Sequence, residues 1–203
     1  SRRAETRNRH RRVFMAEFSM EDVISEAELE MMEKVEKFKR ELTSLRTGRA
    51  NLQLLDSVFV EYYGARVPLK QVAAVSVPEP RTLEVRPWDA GAVDAVEAEL
   101  RKMDFGSSPS RNGGVIRISI PPMTEDQRRK MVKIVHSMGE DSRVQLRNVR
   151  RDALEKIRKA QKGGEVSEDD SERSGGAVQK LTDAYVKNID DVVAVKEKEL
   201  LTV

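Results

Sequence analysis

Three segments of this chain place apolar residues at steps of three and four, and between the first and second of them the period drops to two. That change of period limits the fold more than any other feature, because a helix stripe and a strand face need differently shaped partners. The first helical segment begins at Met20 and carries Ile24, Ala27, Met31, Val35, Phe38, Leu42 and Leu45 on one side. Thr47 and Gly48 close it, since glycine readily takes the turn that ends a helix. The second carries Met131, Ile134, Val135, Met138, Leu146, Val149, Ala153, Ile157 and Ala160, ending near Lys162. At 1.5 Å per residue it is roughly 55–60 Å long. Thr124 and Gln127 have the spacing of a capping box, hydroxyl and amide each satisfying a free backbone N–H at the helix start. After Gly163-Gly164, the run Ser167-Glu168-Asp169-Asp170 opens a third helix, with acids where its dipole favours them. Its stripe is Val178, Leu181, Tyr185, Ile189, Val192 and Val193.

Between Gly48 and Pro121 the pattern is that of strands. Val58, Val60 and Tyr62 alternate with Phe59 and Glu61 as far as Gly64. Val72 to Val77 is a second strand, stopped by Pro78 and Pro80, and Thr82 to Arg86 a third, with Leu83 and Val85 on one face. Asp89 can cap a short helix whose Val93, Val96, Leu100 and Met103 face inward. Asn112-Gly113-Gly114 is a turn, and Ile116, Ile118 and Ile120 form a last strand before Pro121-Pro122. A single amphipathic stripe is not stable alone, so the three long helices must cover one another. The fold class is therefore α+β: a three-helix bundle from residues 19–48 and 121–203, with a small β/α/β domain, residues 49–120, inserted between helices 1 and 2. The connections near Arg46 to Asn51 and Ser119 to Pro122 then form a hinge of limited freedom.

Several classes of function drop out. No cysteine is present, which removes disulfides, thiolate metal sites and cysteine nucleophiles. The two histidines are His10 and His136; a lone helical histidine with no acid or thiol at ligand spacing is an ordinary boundary residue. No phosphate-binding glycine loop, nucleophile elbow or pair of general-acid carboxylates occurs. We expect no catalysis, no cofactor and no metal. No apolar run approaches the roughly 18 residues of a membrane span, so a soluble chain is expected. Residues 1 to 14 hold six arginines against Glu5 and lack apolar periodicity. Residues 1–18 are expected to be a disordered or non-native extension, either upstream of a true start at Met15 or Met20 or the remnant of an organellar transit peptide. With a net charge of +2, the rest of the chain is then slightly acidic, so any RNA contact must be a local patch.

That patch is Arg143 to Lys162, where Arg143, Arg147, Arg150, Arg151, Lys156, Arg158, Lys159 and Lys162 meet only Asp152 and Glu155. Arg143, Arg147 and Arg150 project in one narrow sector, away from Leu146, Val149 and Ala153. Arg128, Arg129, Lys130 and Lys133 extend the basic run toward the helix start. Spacing alone leaves two readings open, a ridge that docks on RNA phosphates and a merely solvated helix face. The stripes also permit a coiled-coil adaptor, although a monomeric bundle already consumes all three.

Short motifs narrow this. Leu45-Arg46-Thr47-Gly48-Arg49-Ala50, Val60-Glu61-Tyr62-Tyr63-Gly64, Arg147-Asn148-Val149-Arg150-Arg151-Asp152, Val166-Ser167-Glu168-Asp169-Asp170 and Gln179-Lys180-Leu181-Thr182-Asp183 together resemble the ribosome recycling factor family. The likeness runs from about Met20 to Val203. It implies an L-shaped molecule with a three-helix stem and a smaller β/α/β domain. It also implies a non-enzymatic factor that binds the post-termination ribosome and, with elongation factor G and GTP, splits it into subunits. By position, Arg147, Arg150 and Arg151 match the family's run that contacts large-subunit ribosomal RNA, with Arg128, Arg129 and Arg143 as further contacts. Arg46, Gly48, Arg49, Pro121 and Pro122 fall at the hinge. Tyr62, Tyr63 and Gly64 are expected to face elongation factor G and the small subunit, unless they are simply half-buried strand residues. A bacterial cytoplasm is the leading compartment, with plastid stroma and mitochondrial matrix as alternatives.

Overall fold

The computed structural model describes residues 18–202. The extension expected at residues 1–18 lies, but for Phe18, outside the described residues. The elements are α1 (Met20–Thr43), β1 (Phe59–Tyr62), β2 (Ala65–Pro68), β3 (Ala73–Glu79), β4 (Thr82–Pro87), α2 (Val93–Arg101), β5 (Ser110–Asn112), β6 (Val115–Ser119), α3 (Glu125–Lys162) and α4 (Glu168–Leu201). Three long helices thus flank a small α/β portion placed between the first and second of them, as the change of period predicts. Their starts are set by side chains. Ser19 Oγ accepts from Asp22 N at 3.2 Å, and Ser167 Oγ from Asp170 N at 3.1 Å. The capping box is complete: Thr124 N donates to Gln127 Oε1 at 2.9 Å and Gln127 N to Thr124 Oγ1 at 3.2 Å.

The chain divides into two compact units, and each long helix contributes a segment to both. The first comprises the described residues up to Glu36 together with Gly139–Asp191. It buries Val23, Ala27, Met31 and Val35 of α1, Leu146, Val149, Ala153 and Ile157 of α3, and Val178 and Ile189 of α4. Val23 takes the buried place expected of Ile24, which is half-buried. Thr182 is buried here as well, its hydroxyl turned back to the Val178 carbonyl at 2.8 Å.

The second unit comprises Lys37–Met138 with the described residues from Val192 on. The boundaries expected at 48/49 and 120/121 both lie inside it. On α3, Val135 is fully buried while Ile134 is 45% exposed, so the stripe passes to one side of Ile134. The α/β core gathers Leu83 and Val85 of β4, Ile116 and Ile118 of β6, Val93, Val96 and Leu100 of α2, and Phe105. Each such side chain removed from water stabilises the fold by roughly 1.5–3 kcal/mol.

The strands form two sheets, and every neighbouring pair is antiparallel. β1 and β2 make a hairpin, and β3-β4-β6-β5 a four-stranded sheet. β2 and β5 were invisible to periodicity. β5 has three residues, all exposed, and β2 buries none fully. Pro78, expected to lie beyond the second strand, sits within β3. β3 is an edge strand whose register shifts between Ser76 and Glu79, so the missing N–H costs the ladder little.

Candidate nucleic-acid interface

Helix α3 carries the basic row, and its arginines are held in different ways. Glu140 stands one turn before Arg143 and two turns before Arg147. Its carboxylate accepts from Arg147 Nη1 at 3.1 Å and from Arg143 Nη1 at 3.2 Å. Those two bonds, Arg147 first, hold the Glu140 carboxyl below its ordinary range. Arg143 Nε also donates to Asp190 of α4 at 2.7 Å, and only 18% of the Arg143 side chain is exposed. Arg143 is therefore a tie between α3 and α4, with its Nε and Nη1 already occupied.

Arg150 is held differently. Its Nη1 donates to Oε1 of Gln179 on α4 at 3.3 Å, and its Nε is buried with no hydrogen-bond partner among the described residues. Gln179 Nε2 in turn donates to Asp183 at 2.9 Å. Arg151 is largely exposed, and its neighbour Asp152 is 3.7 Å from its Nε. Arg150, Arg151, Arg158, Lys159 and Lys162 border one groove along α3, with Leu154 at its side. A row of guanidinium and ammonium groups on a rigid rod suits a ladder of phosphates, since arginine donates to an anion in a fixed fork.

The other predicted residues lie in the second unit. Arg129 is paired with Glu125 at 2.6 Å, and Arg128 is half-buried. Gly48 is buried at φ +79°, where a β-carbon would come within 3.1 Å of Met123 N. The Arg46 guanidinium fills the space over Gly106 that a β-carbon would need, beside Pro121, and its buried Nε has no hydrogen-bond partner among the described residues. Arg49 and Pro122 are exposed. Tyr63 and Gly64 form the β1–β2 turn with φ +47° and +78°, the signature of a type I′ hairpin. Tyr63 is 85% exposed, whereas Tyr62 packs partly on the α/β core. Both phenols donate to Asp89 Oδ2, at 3.3 Å from Tyr62 and 3.1 Å from Tyr63. The Gly91 N–H, then the two phenols, hold the Asp89 carboxyl low, and the bond to Asp89 pushes the Tyr63 phenol up.

Sequence reasoning missed Glu140, Asp190, Gln179 and Asp183, which set the poses of the arginines. Gln179 and Asp183 did lie in a motif that resembled the family, which is the only signal that could have found them. His136, which has no acid at ligand spacing along its own helix, meets Glu197 of α4 at 2.9 Å, because the fold supplies a neighbour that spacing along one helix cannot. Among the described residues no cluster of acids and histidines is placed to hold a metal, and no helix is long and apolar enough to cross a membrane.

Comparison with known proteins adds three findings. Residues 38–201 match the family model described as Ribosome recycling factor. The ribosome-recycling factor of Symbiobacterium thermophilum is 48% identical over 90% of this chain and 98% of its own length. Two solved structures, each 41% identical and covering 91% of this chain, are also similar. One, a solution structure of the ribosome recycling factor, superposes with a TM-score of 0.75 and is covered over 98% of its length. The other comes from models for the T. thermophilus ribosome recycling factor and the E. coli elongation factor G bound to the E. coli post-termination complex, with a TM-score of 0.63 and full coverage, 100%, of that chain.

Proposed function

Because this chain belongs to the ribosome recycling factor family, whose members are translation factors and not enzymes, we propose that it binds the post-termination ribosome and, with elongation factor G and GTP, drives its dissociation into subunits. Messenger RNA and deacylated transfer RNA leave as the subunits part. The observation that carries this reading is the row of arginines on α3 in a chain that matches the family along most of its length. Arg147, Arg150 and Arg151 meet large-subunit ribosomal RNA, and Arg128 and Arg129 make secondary contacts. Arg143 serves the row by tying α3 to α4 more than by touching RNA, since two carboxylates already hold it. The exposed hairpin turn with Tyr62, Tyr63 and Gly64 faces elongation factor G. The residues 49–120 move as an inserted domain about Arg46, Gly48, Arg49, Pro121 and Pro122. The energy for splitting comes from the partner's GTP cycle, so this chain holds no nucleotide. Its bacterial relatives support a bacterial cytoplasm as its place of action.

The deciding experiment is sedimentation of post-termination ribosomes with this protein, elongation factor G and GTP. Subunit peaks that require all three components are expected. Binding to large subunits without splitting would leave only a ribosome-associated RNA binder, and the absence of both would overturn the reading.

A further inference from the structure

Arg143, Arg147 and Arg150 share one side of α3, yet the first two are held by carboxylates and the third is not. A carboxylate fixes a guanidinium but also cancels its charge, so a phosphate must compete for it. Arg150 donates to a neutral acceptor, the Gln179 amide oxygen. That amide is itself oriented by Asp183, one turn further along α4, which accepts from its Nε2. An ionised carboxylate can only accept, so the NH2 end of Gln179 must face Asp183 and its oxygen must face Arg150. We propose that Gln179, oriented by Asp183, is a positioning residue for Arg150, holding the guanidinium in its phosphate-binding pose while leaving its positive charge uncompensated.

The inference rests on the RNA-contact role given to Arg150 above and adds how that role is prepared. An arginine free to rotate loses its rotamer freedom on docking, whereas a held one has lost it on folding. The Arg150 Nε is itself buried, so the guanidinium is fixed by packing as well as by the bond from its Nη1 to Gln179. The same relay explains two positions of Gln179-Lys180-Leu181-Thr182-Asp183. Thr182 points inward and bonds its own helix, while Gln179 and Asp183 stand four residues apart on the exposed side, as neighbours on one helix face do. A glutamate at 179 would fail twice, by facing Asp183 with like charge and by neutralising Arg150.

The test is equilibrium binding to isolated large subunits across a salt series, together with nuclear magnetic resonance of the Arg150 Nε–H in the free protein. Gln179→Met keeps side-chain length and helix propensity but removes the amide. It is expected to weaken binding about three- to tenfold, the worth of one hydrogen bond. The slope of log K against log salt stays the same, because the same phosphates are neutralised. Gln179→Glu loses more. In an Arg150→Ala background Gln179→Met costs nothing further, since the pair acts as a unit. In the free protein Gln179→Met lowers the order of the Arg150 Nε–H, with circular dichroism confirming the fold. Equal losses with and without Arg150, a Gln179→Glu protein that binds as tightly as wild type, or unchanged Arg150 order would each overturn the positioning role. A wild-type protein that ignores large subunits would instead overturn the recycling reading, and the free-protein order alone would then decide the positioning.

Discussion

Glu84 occupies the middle of β4 between the fully buried Leu83 and Val85, and it too is buried, with 7% of its side chain exposed. It stays ionised because Arg86 Nε lies 2.5 Å from one oxygen and Arg117 Nη2, from the paired position on β6, 3.1 Å from the other. The Arg86 hydrogen bond outweighs desolvation and holds the carboxyl below its ordinary value of 4.5. A group whose folded pKa is depressed adds stability above its unfolded value, and that stability is lost as pH falls through the lower, folded one. Chemical denaturation between pH 6 and pH 3 is therefore expected to show stability falling below about pH 4.5, and Glu84→Gln should flatten that fall. Identical pH profiles for the two proteins would remove Glu84 from the account. Alternation puts Leu83 and Val85 on one face and leaves Glu84 on the other, with no hint of its burial, because a partner such as Arg117 lies across the sheet. The basic row has the same limit. Helical spacing showed that Arg143, Arg147 and Arg150 share a side, whereas Asp190 and Gln179 arrive from another helix and only the folded bundle brings them close.

At the scale of elements, local rules made the helices legible because their signals are short-range. The Thr124–Gln127 box, the Ser167 cap and the glycine stop at 164 need only their immediate neighbours, and all three lie where helices begin or end, whereas α1 stops at Thr43, before the Leu45 and Gly48 that its apolar stripe suggests. Thr124→Ala is expected to destabilise the protein by about 1 kcal/mol, the usual worth of an N-cap, and to fray the start of α3. Hydrogen exchange should localise the change to Glu125, Asp126 and Gln127. Loss of protection at the far end of α3 instead would mean that the cap is dispensable. Strands were harder. β4 and β6 were found because each buries alternate residues of a sheet interior, while β2 and β5 have no such alternation to find. Tyr63 in a left-handed turn was hidden for another reason: that conformation usually belongs to glycine or asparagine, and only the pairing of Tyr62 with Ala65 imposes it.

For the whole molecule, the question is how the α/β portion is coupled to the helices through the two connections that enter and leave it. Both are clipped to the same β3–β4 turn: Ala50 N donates to the Pro80 carbonyl at 2.8 Å, and Ile120 N to the Arg81 carbonyl at 2.7 Å. Adjacent carbonyls thus anchor both chains. In the hinge proposed above, freedom would be left to Ser44–Arg49 on the way in and Pro121–Thr124 on the way out, and Gly48 and Met123 meet between them. Gly48 has φ +79°, and a β-carbon there would stand 3.1 Å from Met123 N and 3.2 Å from its Cγ. A valine would pay roughly 1–2 kcal/mol for the left-handed backbone alone and would also push the two connections apart. Gly48→Val should therefore alter the junction while leaving the arginine row untouched. Affinity for ribosomes is expected to stay within a few-fold of wild type, and splitting with elongation factor G and GTP to be markedly slower, as hinge changes slow a step that binding does not limit. Equilibrium binding and light-scattering kinetics on the same ribosomes separate the two effects, with circular dichroism to verify folding. A folded Gly48→Val protein that splits ribosomes at the normal rate would mean that these connections only join the parts and transmit nothing.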